Sequence, residues 1–174
     1  KNPGEDILSS VVHAEIDGER LSMRELLSFC VVLLLGGIDN TSKLIGTTLW
    51  RLGWDIELRN RIKADPALVP TMIDEILRFY SPATEGRKVV NPASIAGVDM
   101  EPGQIVMLMA PIANRDSLIF PYPDTFIPDR SPNKHLALSA GIHRCLGAHL
   151  LRMEAQVVIN GFLARIPEYE LARA

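Results

Sequence analysis

The chain has 174 residues, 47% of them hydrophobic, and a formal net charge of −3, which suits one soluble globular unit with a core of its own. No basic surplus points to nucleic acid as a partner. Two cysteines, Cys30 and Cys145, are too few for a disulfide framework and indicate a reducing, cytoplasmic setting, although a bridge between the two stays open. No signal-like segment is visible, and the longest apolar run, Phe29 to Leu35, is too short to cross a bilayer, so no membrane segment is expected. The chain starts at Lys1, without methionine.

Residues 5 to 15 read as a short helix followed by a turn at Asp17-Gly18. Ser22 caps the next helix, and Glu25 three residues later completes a capping box. That helix extends to about Leu52, roughly 45 Å at the usual rise. The Gly36-Gly37 pair in its middle sacrifices helix propensity, which predicts a kink or the close approach of a ligand. Further helices are predicted over about 54–63 and 66–80, the second with Pro near its start. From Arg87 to Met109 the pattern changes to short β-type runs punctuated by Asn91-Pro92, Gly97-Val98 and Pro102-Gly103. Residues 111–136 are rich in Pro, Asp and Asn and read as a long ordered meander. A final helix is predicted from about Cys145 to Ala164, amphipathic through Leu150, Met153, Val157 and Phe162. There is no internal repeat, and the predicted class is mainly α with minor β.

The run Leu138-Ser139-Ala140-Gly141-Ile142-His143-Arg144-Cys145-Leu146-Gly147 sets one cysteine between two glycines, just ahead of an apolar helical stretch. Glycines permit a tight backbone path and close approach of a flat ligand. The N–H groups at the start of a following helix favour thiolate. A thiolate held this way can be an axial ligand of haem iron. Two other readings use the same residues: an inert packed thiol, and a zinc site drawing on His135, His143, Cys145 and His149. The zinc reading lacks a paired Cys-x-x-Cys or His-x-x-x-His elsewhere. Cys30, in an apolar helical run, reads as a small packed hydrophobe.

Five segments in order resemble the cytochrome P450 family: Gly36-Gly37-Ile38-Asp39-Asn40-Thr41, Glu75-Ile76-Leu77-Arg78, Arg87, the meander from Ala113-Asn114-Arg115-Asp116 through Pro123-Asp124-Thr125-Phe126 to Arg130, and the cysteine loop. The resemblance spans essentially the whole chain. It implies a single domain over residues 1–174, the C-terminal haem-binding part of that fold, without the N-terminal half or the last strands. It implies haem b with Cys145 as iron ligand, Arg87 and His143 on its propionates, and Leu138, Gly141 and Gly147 shaping the loop. Glu75, Arg78 and Arg130 are implied as a buried network behind the haem. Asp39, Asn40 and Thr41 are implied on the oxygen side, with Val32, Leu35, Gly36, Ala83 and Thr84 lining the substrate pocket.

The implied activity is that of a soluble bacterial haem-thiolate monooxygenase acting on a small organic substrate. It would use O2 and two electrons drawn from NAD(P)H through a ferredoxin or flavodoxin-type donor docked near Lys134, Arg144 and Arg152. Three positions depart from the family pattern. Asn40 stands where threonine is usual, and Thr41 lies about 100° further round the helix. Asn40 can order a water through its amide but cannot relay a proton as a hydroxyl does. Leu138 replaces a phenylalanine and Ser139 a glycine. Asn40 therefore also admits a peroxide-dependent or otherwise atypical member, and a chain lacking the lid helices would be inactive by itself.

Overall fold

The computed structural model describes residues 4–172. They divide into two compact units, one up to Asn40 and one from Thr41 onward. The first opens with α1 (Ile7–His13), whose start is capped by Asp6 Oδ1 accepting the Ser9 amide at 2.9 Å. Next comes a hairpin of β1 (Glu15–Ile16) and β2 (Glu19–Arg20). Its turn needs two left-handed residues, Asp17 at φ 54° and Gly18 at φ 82°. Helix α1 is shorter than expected because the chain turns into this hairpin directly after Ala14.

The long α2 (Met23–Trp54) crosses the division between the units. Its capping box is formed: Ser22 donates its amide to Glu25 Oε2 at 2.8 Å, and the Glu25 amide donates to Ser22 Oγ at 3.4 Å. Ser22 Oγ also donates to Glu25 Oε2 at 2.7 Å, and this bond, with the one from the Ser22 amide, holds the Glu25 carboxyl below its ordinary value. Helical structure runs unbroken through Gly36-Gly37, so the predicted kink takes no form of a break. Two glycines cost about 1 kcal/mol each in a helix, a minor loss along a ladder of this length. By length and composition alone α2 passes as a helix able to cross a membrane, contrary to the expectation drawn from its short apolar run. Its C-terminal half nonetheless buries Leu44, Thr48 and Leu52 in protein.

In the second unit α3 (Ile56–Ala64), a 3-10 turn at Pro66–Leu68 and α4 (Val69–Tyr80) follow. Helix α4 is the centre of the core: Val69, Met72, Ile73, Ile76 and Leu77 are all buried. Around it pack Leu44 and Leu52 of α2, and Leu58 and Ile62 of α3. Helix α6 (Ala148–Arg165) adds Leu151, Ala155, Ile159 and Leu163. It starts three residues after Cys145, not at it, and presents a different face from the one predicted. Leu150, Met153 and Val157 are exposed, and Phe162 is half-buried. Small Ala148 and Ala155 are also buried, and α6 packs against α4.

Four short strands lie between. Strand β3 (Glu85–Lys88) pairs antiparallel with β6 (Ile105–Leu108), and β4 (Ala93–Ile95) with β5 (Val98–Met100) around a turn at Ala96-Gly97. After the one-turn α5 (Ala110–Ala113), residues 114–140 form the irregular meander. The final segment folds back: Tyr169 Oη donates to the Leu49 carbonyl at 2.6 Å, and Arg59 Nη1 donates to the Tyr169 carbonyl at 2.7 Å. Mainly helical with small sheets, the chain has the fold class expected of it.

Candidate functional site

On α4, Glu75 and Arg78 lie one turn apart and are wholly buried. Arg78 grips the carboxylate as a fork, Nε to Oε2 and Nη2 to Oε1, both at 2.8 Å. Arg130 Nε donates to the same Oε2 at 3.0 Å, joined by Asn133 Nδ2 at 3.2 Å, while the Ile127 amide reaches Oε1 at 2.9 Å. Two buried guanidinium groups against one carboxylate leave an excess positive charge. Meander carbonyls absorb it: Asn114, Pro123 and Thr125 accept from Arg78, and Pro121, Tyr122 and Thr125 from Arg130. The meander is thus wound on charged side chains rather than on a backbone ladder. Buried Asn114, at the start of the meander, accepts the Leu136 amide at 2.7 Å and donates to Ser81 Oγ at 2.7 Å.

The cysteine loop follows. Ser139 (φ 57°) and Gly141 (φ 63°) both take the left-handed conformation. A single 3-10 turn, Gly141–His143, then precedes Cys145, whose amide donates to the Leu138 carbonyl at 2.9 Å and closes the loop. Cys145 is free and exposed, as are His143 and Gly147. Beside it Ile142 and Leu146 are 96% and 86% exposed. Leu138, by contrast, is half-buried and packs against the hydrophobic core. Cys30 is also free and half-buried.

Arg87 belongs to β3, two residues from Glu85 and so on the same face. Its Nη2 donates to Glu85 Oε2 at 2.6 Å, and Ser139 Oγ donates to that same oxygen at 3.2 Å. Glu85, which sequence reasoning missed, therefore joins the cysteine loop to Arg87. Ala83 is half-buried and Thr84 exposed in the segment leading to β3. On α2, Val32, Leu35, Gly36 and Asp39 share a face by their spacing and are exposed; Asn40 and Thr41 are half-buried. A Cβ at Gly36 or Gly37 would meet nothing within 4 Å. Of the three basic residues flanking the loop, Lys134 and Arg144 are exposed. Arg152 is not a free surface charge, because its Nε donates to Asp74 Oδ1 at 2.8 Å.

An exposed cysteine loop follows a meander held by a buried Glu–Arg–Arg network, within a mainly helical chain. Residues 64–166 match the family model for cytochrome P450. Putative cytochrome P450 YjiB of Bacillus subtilis is 36% identical over 97% of this chain and 43% of its own length. The mycinamicin IV hydroxylase/epoxidase of Micromonospora griseorubida is 35% identical over 98% of this chain and 44% of its own. The crystal structure of CYP109E1 from Bacillus megaterium with testosterone superposes with a TM-score of 0.91 at 35% identity, over 99% of this chain and 48% of that one. The chain belongs to the cytochrome P450 family, and it spans less than half the length of these relatives.

The residues present fit the haem that this family implies. The loop offers a free thiol in an exposed apolar setting of Ile142 and Leu146, which suits a sulfur ligand beneath a flat apolar ring. Arg87 and His143 add donors suited to carboxylates.

Proposed function

We propose that this chain is the haem-binding portion, one domain in all, of a haem-thiolate monooxygenase. The observation that supports it best is the free, outward-facing Cys145 in a loop closed by its own amide and flanked by exposed apolar side chains. Bound there, haem b would supply the iron at which O2 is activated. The balance is that of a monooxygenase: one oxygen atom enters a small organic substrate, and the other leaves as water with two electrons and two protons.

In this reading Cys145 holds the iron, and Leu138, Gly141 and Gly147 shape its loop. Arg87 and His143 donate to the propionates. Arg87 reaches them by releasing Glu85, or by sharing its guanidinium fork between the two carboxylates. Asp39 passes protons inward from solvent, and Asn40 orders a water with its amide where most members carry a hydroxyl. Thr41 supports that water from the next position, while Val32, Leu35, Gly36, Ala83 and Thr84 contact substrate. Lys134 and Arg144 steer a ferredoxin or flavodoxin-type donor, which relays electrons from NAD(P)H in the cytoplasm.

Cys145→Ser in the haem-loaded protein that contains this chain tests the reading. The wild type is expected to give the red-shifted band of a thiolate-ligated ferrous carbon monoxide complex, and the variant to lose it. A wild type without that band overturns the proposal. Asn40 supports a second reading, peroxide-driven turnover, because it cannot relay protons as threonine does. Peroxide rates that rival reductase-driven rates would favour it. Tight coupling of NAD(P)H use to product, lost in Asn40→Ala, would reject it.

A further inference from the structure

The cysteine loop is gripped at both ends by a carboxylate that lies outside the Glu75 network. Asp74 precedes Glu75 on α4, one residue round the helix, and so faces a different part of the chain. Its Oδ1 takes two donors that are distant in sequence. One is His135 Nε2 at 3.4 Å, on the strand of meander that enters the loop. The other is Arg152 Nε at 2.8 Å, on the helix that leaves it. Arg152 also donates through Nη1 to the Ala148 carbonyl at 3.1 Å, tying its guanidinium to the first residue of α6.

The His135 side chain is only 3% exposed. Among the described residues its Nδ1 is buried with no hydrogen-bond partner, and Asp74 orients this ring through Nε2. Burial works to raise the Asp74 carboxyl, but the hydrogen bonds from His135 and Arg152 outweigh it and hold the group below its ordinary value. The carboxylate is thus maintained as an acceptor for both donors.

We propose that Asp74 is a positioning residue for Cys145: one carboxylate oxygen ties the entering and leaving stems of the cysteine loop to α4. Loop closure by the Cys145 amide sets the tip of the loop, and Asp74 sets its base. The stems then hold a fixed separation, and the thiol a fixed direction, even though the tip itself is exposed. The proposal rests on the reading of Cys145 as the iron ligand.

The test compares wild type with Asp74→Asn, Asp74→Glu, His135→Gln and Arg152→Gln in the haem-loaded protein, by amide hydrogen exchange and by the ferrous carbon monoxide spectrum. Loss of a charge-assisted hydrogen bond predicts about ten-fold faster exchange at the Cys145 amide in Asp74→Asn. The share of the complex absorbing at the blue-shifted, thiol-ligated position should rise with it, and Asp74→Glu should recover part of both losses. His135→Gln should loosen the residues entering the loop, and Arg152→Gln those leaving it. These two milder variants decide the matter if Asp74→Asn does not fold. Unchanged protection at Cys145 overturns the proposal. So does an equal rise at Ile159 and Leu163, which marks general destabilisation. A wild type that lacks the red-shifted band defeats the haem reading instead, and the exchange data still decide whether Asp74 holds the loop.

Discussion

Ser139 shows how a single departure from the family pattern is accommodated. The usual glycine at this position is explained by a backbone at φ 57°, which costs an ordinary residue roughly 1–2 kcal/mol. Serine recovers part of that cost by donating to Glu85 Oε2, the oxygen that Arg87 also holds. Relief of strain and loss of one hydrogen bond oppose each other, so Ser139→Gly is expected to change stability by less than about 1 kcal/mol. Ser139→Ala keeps the strain and loses the bond, and should be weaker by about 1 kcal/mol. Urea denaturation should therefore rank alanine below both serine and glycine, and alanine matching serine would remove the role given to Glu85.

Asp74 yields the pH counterpart at the same scale. Its folded carboxyl titrates below the unfolded one, so its stabilisation is present in full above the unfolded value. That stabilisation is lost as pH falls through the folded value. Asp74→Asn should accordingly flatten the acid limb of a stability–pH profile and lower the neutral plateau, leaving the most acidic points where they were. Parallel profiles for the two proteins would show that Asp74 contributes nothing by its charge.

Among the elements, α4 does the most to organise the second unit. One side of it packs the apolar core, and its acidic positions anchor the meander. Glu75→Gln leaves two buried guanidinium groups without their carboxylate, a loss of roughly 3–5 kcal/mol. Thermal melts should show this as loss of cooperative unfolding in a stretch that includes residues 114–136, and a melt like that of the wild type would contradict it. The pair Glu75–Arg78 was legible in the sequence because its partners are three residues apart. Arg130 was legible only through the family resemblance. Asp74 with His135 and Arg152, and Asn114 with Leu136, were not legible, because their partners are brought together across 22 to 78 residues by tertiary folding.

The face of the final helix is ambiguous for a different reason. It is apolar on two sides, and a 3.6-residue period fits Leu150, Met153 and Val157 as well as Leu151, Ala155 and Ile159. Periodicity alone cannot choose between them. The packing of α6 against α4 and the core decides, and the buried set includes the small Ala148 and Ala155.

Across the whole molecule, apolar surface is left exposed in each unit. Val31, Val32, Leu34, Leu35 and Ile38 are exposed on α2, and Leu150, Met153 and Val157 on α6. That pattern accounts for α2 resembling a membrane helix by composition. It also suits a chain spanning under half the length of its relatives, whose remaining residues have their own surfaces to bury. The boundary between the units falls at Asn40–Thr41, within the motif on α2, a point that local patterning of the continuous helix does not mark.

Gly53, near the end of α2, meets the returning tail so closely that an added Cβ would lie 2.9 Å from Leu171 Cδ2 and 3.1 Å from Tyr169 Cε2. The hydrogen bond from Tyr169 to Leu49 and the clasp of Arg59 on the Tyr169 carbonyl hold the same tail. One hydrogen atom in place of a methyl group thus works as a keyhole. Through it the last residues of the described chain lie against the helix, and a larger side chain there would have to push the Leu171 and Tyr169 side chains aside.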